Sequence, residues 1–136
     1  MLVVDASVAL KWVLDEPGDR EARAIIETRE ALIAPELIVA EVANVAWRRV
    51  TSAEIPPSQA AVIVAEVPKV FTELLAIAPF RMRALEIAID LRHPAYDCFY
   101  LALAEARDLK LVTADRRLLT RIAGSAWKDR CLSLWN

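Results

Sequence analysis

Two rhythms of apolar residues alternate along this chain. Leu2-Val3-Val4, Leu32-Ile33-Ala34, Leu74-Leu75-Ala76-Ile77 and Leu111-Val112 are short unbroken apolar runs. Runs this short, without polar alternation, suit β-strands buried on both faces. Between them lie longer stretches with helical periodicity. The pattern predicts strands over Leu2–Asp5, Leu32–Ala34, Thr72–Ala78, Lys110–Thr113 and Arg130–Leu134. It predicts helices from Ser7 to Leu14, Arg20 to Arg29, Pro35 to Val50, Gln59 to Val67, Pro79 to Leu91, Ala95 to Arg107 and Asp115 to Ala123.

The punctuation agrees with that division. Glu16-Pro17-Gly18-Asp19 is a turn, with Asp19 as N-cap of the next helix. Pro35 suits a first helical position, and His93-Pro94 breaks the chain between two helices. Thr51–Ser58 is a polar, proline-containing connection. Short apolar strands alternating with helices indicate an α/β layer fold with a mainly parallel sheet. The 136 residues suit a single domain, residues 1–136, without internal repeats.

Composition adds an expectation about partners. The hydrophobic fraction is 57%, above the usual range of about 45–50%. The excess implies an apolar patch that a second copy or a partner chain covers. Net charge is −2, which argues against a generally basic nucleic-acid binder. Arginine nevertheless clusters at Arg48-Arg49, at Arg81 with Arg83, and at Arg116-Arg117 with Arg121. Solvated helix faces account for most of these, although arginine is also the residue that grips phosphate bidentately. Cys98 and Cys131 form neither a disulfide framework nor a zinc pattern, and both are expected to be reduced and buried. With Asp5 inside the first apolar stretch, no basic leader and no apolar run of about 18 residues, the expected location is cytoplasmic. Two glycines leave no phosphate-cradling loop.

Four acids are hard to place by packing alone. Asp5 and Asp115 follow apolar strands, Glu41 interrupts Leu37-Ile38-Val39-Ala40-Glu41-Val42-Ala43, and Asp97 opens an apolar helix. Isolated carboxylates beside buried segments are costly unless a cation neutralises them. Ligands of open parallel sheets bind beyond the carboxyl ends of the strands, where Asp5 and Asp115 fall. Glu41 is expected about two turns into its helix, on one face with Asn44 and Arg48; Asp97 shares a face with Tyr100 and Leu101. Oxygen-only ligands favour Mg²⁺ or Mn²⁺, and such a site supports hydrolysis of a phosphodiester by metal-activated water. Setting the four acids aside leaves 17 basic residues against 15 acidic ones.

Each acid also has a plain structural explanation. Asp5 and Asp115 are plausible helix caps, Asp97 suits a helix dipole, and Glu41, flanked by apolar residues, is hardest to dismiss. Ser7 and Thr113 lie two residues from an acid and suit either support of the site or a local turn. Asn44 suits a site hydrogen bond or a structural amide. His93, the only histidine, is read as a solvated partner of a helix end. Trp12 and Trp47 lie in helices near the proposed site, where one of them would line a partner groove.

These residues carry a resemblance. Val3-Val4-Asp5-Ala6-Ser7, Pro35-Glu36-Leu37 through Glu41-Val42-Ala43-Asn44, Tyr96-Asp97-Cys98-Phe99-Tyr100-Leu101-Ala102-Leu103-Ala104 and Leu111-Val112-Thr113-Ala114-Asp115-Arg116-Arg117-Leu118 resemble the motifs of PIN-domain ribonucleases. More narrowly, they resemble the toxins of VapBC-type toxin–antitoxin pairs. The resemblance implies a three-layer α/β sandwich with helices on both faces of the parallel sheet. It implies Asp5, Glu41, Asp97 and Asp115 as the acidic cluster, with Ser7 and Thr113 in support. It further implies Mg²⁺- or Mn²⁺-dependent cleavage of RNA, a homodimer, and an antitoxin protein as partner. Two other readings compete: a PIN nuclease of RNA processing or decay, and a non-enzymatic acidic-pocket signalling module. The latter wants a second acid beside Asp5, which Val3-Val4-Asp5 lacks.

Overall fold

Five strands, β1 (Leu2–Val4), β2 (Leu32–Pro35), β3 (Glu73–Leu75), β4 (Leu111–Thr113) and β5 (Cys131–Ser133), form one sheet in the order β3-β2-β1-β4-β5. The computed structural model describes residues 1–135. Every neighbouring pair of strands is parallel, with Val3 opposite Ile33 on one side and opposite Leu111 on the other. Val3, Val4, Ile33, Ala34 and Leu111 are fully buried, as the unbroken apolar runs require.

Among the described residues, seven α-helices connect and flank these strands: α1 (Ala6–Ala9), α2 (Asp19–Glu27), α3 (Leu37–Thr51), α4 (Pro57–Glu66), α5 (Arg81–Leu91), α6 (Ala95–Arg107) and α7 (Arg116–Ile122). A 3-10 turn over Leu10–Trp12 extends α1. Helix α6 packs against β1, β2 and β4, and α5 lies along α6. Helices α3 and α4 form a second pair. The α6 run Cys98, Tyr100, Leu101, Ala102, Leu103 and Ala104 is buried almost all round, because strands cover one side and α5 another. No helix of the described residues is long and apolar enough to cross a membrane.

Several boundaries differ from the sequence reading. Pro35 ends β2 instead of opening a helix; the Glu36 amide donates to the Leu75 carbonyl at 2.7 Å and α3 starts at Leu37. Glu41 therefore sits one turn into α3, not two. Gly18, not Asp19, occupies the N-cap of α2, at φ +87. A side chain there would meet the Trp135 ring at 3.0 Å, so packing against the far end of the chain selects glycine. The expected strand over Thr72–Ala78 shrinks to Glu73–Leu75, followed by a 3-10 turn at Ala78–Phe80 before α5.

Candidate active site

The strand order places β1 and β4 side by side, with the chain turning to opposite edges of the sheet from there. This is the switch point at which open parallel sheets form a crevice. Asp5 immediately follows β1 and Asp115 follows Ala114 at the end of β4. Helices α3 and α6 bring Glu41 and Asp97 to the same crevice. Asp5, Ala6, Ser7, Leu10, Glu41, Val45, Asp97 and Asp115 line one cleft of ≈ 190 Å³. All four acids thus share a cavity, although 110 positions separate the first from the last in the chain.

Each carboxylate is held by its own donors. Asp5 is the N-cap of α1, accepting from the Val8 amide at 3.2 Å and the Ser7 hydroxyl at 2.5 Å. Asp115 is the N-cap of α7, accepting from the amides of Arg117 and Leu118 at 2.9 and 3.2 Å. The capping role anticipated for both acids is therefore real, and it orients the carboxyls at the cleft. Glu41 accepts a 2.6 Å bond from the Tyr100 hydroxyl. Asp97 Oδ2 lies 2.5 Å from His93 Nε2, with the ring buried.

Two hydroxyls stitch the two strand ends together. Ser7 Oγ accepts from the Ala114 amide at 2.9 Å and lies 3.5 Å from Thr113 Oγ1. Thr113 Oγ1 accepts from the Asp115 amide at 3.1 Å and is fully buried. Asn44, by contrast, lies on the exposed side of α3 and is not part of the cleft lining. At about 100° per residue Asn44 lies about 60° around the helix from Glu41, and Val45, on the other side of that direction, lines the cleft instead.

Electrostatics sets Asp5 apart. It is 4% exposed and has no cationic partner among the described residues. Burial pushes its pKa up to about 7, against the opposing hydroxyl and amide bonds. Burial also raises Glu41, with the Tyr100 bond opposing and the Asp97 charge adding. Asp97 is raised by burial and by the Asp115 charge, while His93 and Arg117 pull it down. The Tyr100 hydroxyl is driven well above its ordinary value by burial and by Glu41, so it stays a donor.

The chain's similarity to known proteins follows the same residues. The model of the PIN domain matches residues 2–125, which holds all four acids and both hydroxyls. The chain belongs to the PIN domain family. This PIN domain is 32% identical over 120 residues to Ribonuclease VapC3 of Pyrobaculum aerophilum, covering 86% of this chain and 91% of the relative. The crystal structure of PAE2754 from Pyrobaculum aerophilum superimposes with a TM-score of 0.71 at 27% identity, covering 91% of this chain and 81% of that one. A toxin–antitoxin complex from Klebsiella pneumoniae superimposes with a TM-score of 0.67, covering 100% and 99% of the two chains. At 14% identity that last likeness is one of fold alone.

Sequence reasoning missed two residues that hold the acids of this PIN-domain cleft. His93 was read as a solvated helix partner, yet it is buried against Asp97. The signal was its i, i+4 spacing to Asp97 across Pro94, which places both on one side of the α6 start. Tyr100, i+3 from Asp97, was placed on that face but not given a partner; only the packing of α3 beside α6 supplies Glu41. Trp12 is buried, with its Nε1–H donating to the Ala22 carbonyl at 3.0 Å, and lines no groove. Trp47 is 60% exposed.

The donor set matches a hard divalent cation in chemistry. It offers carboxylate oxygens without sulfur, and a buried Asp5 with no counter-charge. Among the described residues no three His, Cys, Asp or Glu side chains stand close enough to hold one ion between them.

Proposed function

We propose that this PIN domain is a Mg²⁺- or Mn²⁺-dependent endoribonuclease, acting as the toxin of a VapBC-type toxin–antitoxin pair. The observation that carries the reading is the convergence of Asp5, Glu41, Asp97 and Asp115 on one cleft at the strand switch point. The name of its Pyrobaculum relative, Ribonuclease VapC3, supports the reading. The resemblance stated from sequence adds the homodimer and the antitoxin partner.

In this reading Asp5, Asp97 and Asp115, with Glu41, hold the cation and are the catalytic acids. When bound, the ion supplies Lewis-acid polarisation of a phosphodiester oxygen and acidifies water. The chain's own contribution is placement. Ser7 and Thr113 tie together the two strand ends that carry Asp5 and Asp115 into one cleft. Tyr100 holds Glu41, and His93 holds Asp97. Asn44, outside the lining, is left to contact substrate at the rim. Burial raises the carboxyl pKa values of Asp5, Glu41 and Asp97, and a bound cation would oppose that shift.

Calorimetry of Mn²⁺ into the wild-type chain and into Asp97→Asn tests the cation site, and cleavage of total RNA in Mg²⁺ tests the activity. Wild type should bind and cut; Asp5→Ala and Asp97→Ala should remain folded and lose at least about 10³-fold in rate. Cleavage by both variants at the wild-type rate would remove the acids from catalysis. Growth arrest on expression of wild type, but not of Asp97→Asn, is the expected signature of a toxin.

A further inference from the structure

Five of the thirteen arginines, Arg23, Arg49, Arg83, Arg107 and Arg130, pair with a carboxylate. Of the other eight, Arg20, Arg29, Arg48, Arg81 and Arg92 are scattered over the chain and three gather on α7. Arg116, Arg117 and Arg121 pair with none among the described residues, and all three are exposed on α7. No Asp or Glu occurs from Arg116 through Lys128; the nearest acid in sequence is Asp115, at the helix start. With Thr120 these three arginines line an open groove of ≈ 490 Å³. Asp115, which lines the acidic cleft, is the N-cap of α7, and Arg117 is near enough to Asp97 to lower its pKa, so the groove lies beside the cleft. A chain of net charge −2 thus carries a basic shelf without ion pairs beside its acidic cleft.

The shelf is held in place. The Arg116 guanidinium lies 4.2 Å from the centre of the Trp135 ring. Trp135 is pinned by its Nε1–H, which donates to the Ala114 carbonyl at 2.8 Å, and it packs against Gly18. An arginine stacked on an indole keeps its edge donors available for an anion, and less of its side-chain entropy remains to be lost. Three guanidinium groups without partners repel one another, and a polyanion relieves that repulsion.

We propose that the α7 groove is a phosphate-backbone subsite that seats single-stranded RNA as it leaves the cleft. The proposal rests on the nuclease reading, because a strand whose phosphodiester reaches Asp115 must carry its neighbouring phosphates over α7. An acidic peptide is the competing occupant. The lining, three arginines and a threonine, offers no apolar side chain to a peptide.

The test is fluorescence anisotropy of a short mixed-sequence single-stranded RNA, titrated at several salt concentrations with Ca²⁺ replacing Mg²⁺ to hold back cleavage. Each lost phosphate contact on a single strand should reduce the slope of log K against log salt by about 0.7. The triple variant Arg116→Ala/Arg117→Ala/Arg121→Ala should therefore bind with a slope shallower by about 2, and weaker by tenfold or more at low salt. Arg29→Ala/Arg81→Ala removes exposed charge elsewhere and should leave the slope unchanged. Trp135→Phe keeps the charges but loses the pin to Ala114, and should weaken binding with little change of slope. A wild-type slope in the folded triple variant overturns the subsite, as does an equal loss per arginine in the control pair. Failure of wild type to bind the RNA overturns it too. Displacement of the RNA by oligo-glutamate of matched charge at equal concentration would assign the groove to an acidic protein instead. The nuclease reading fails separately, if wild type and Asp97→Asn cut RNA alike while the triple variant still loses affinity.

Discussion

Asp5 is an ionisable group that folding buries without a counter-charge, and its energetics follow from that. Its folded pKa of about 7 lies above the ordinary 3.8, so the folded chain holds an extra proton between about pH 4 and pH 7. Stability of the metal-free protein therefore falls as pH rises through that window and levels above it. Glu41 and Asp97, also raised, act in the same direction. Asp5→Asn keeps an acceptor for the Val8 amide and removes the titration. It should be more stable than wild type at pH 8 by on the order of 2–4 kcal/mol, and equal to it near pH 4. Urea denaturation at the two pH values measures this, and an equal gain at both would mean that the charge is not what burial opposes. His93 is the complementary case, a buried ring whose role is to hold Asp97. His93→Ala should lower Mn²⁺ affinity about 10- to 100-fold, the usual effect of removing a group that orients a metal ligand. Calorimetry showing unchanged affinity would leave His93 as core packing.

At the level of elements, the chain builds helix ends with almost no glycine. Arg29, Ala53, Arg92 and Asp108 all take positive φ at or just past the ends of α2, α3, α5 and α6. The left-handed conformation costs a residue with a Cβ about 1 kcal/mol. Ala53, at φ +59, is exposed and makes no side-chain bond, so this cost stands alone there. Ala53→Gly should stabilise the protein by about 1 kcal/mol in chemical denaturation. A destabilised variant would show that unfolded-chain entropy outweighs the strain. The element boundaries that escaped sequence reasoning have causes of this kind. Pro35 fits a strand end as well as a helix start, and only the Glu36 to Leu75 bond decides between them. Gly18 displaced Asp19 as a cap because Trp135, more than a hundred residues away, packs against it.

Over the whole molecule, the apolar excess of the composition is partly visible on the surface. Met82, Leu85 and Ile89, at 60, 48 and 66% exposure, lie three and four residues apart and form a stripe on α5. Under the homodimer reading a second copy covers such a stripe. Sedimentation should then show wild type as a dimer and Ile89→Arg as a monomer with an unchanged fold; dimers of both would move the interface elsewhere. The sequence by itself determined the alternation of strands and helices, the parallel sheet, and which four acids stand out, because each depends on local periodicity and on the cost of burying charge. It did not determine which donors hold those acids. The Tyr100–Glu41 bond and the arginine shelf braced by Trp135 depend on contacts between segments that only the fold brings together. Only the tertiary structure decided them, because a hydrogen bond or a stacked ring is set by packing distance to within tenths of an ångström, and no periodicity encodes that.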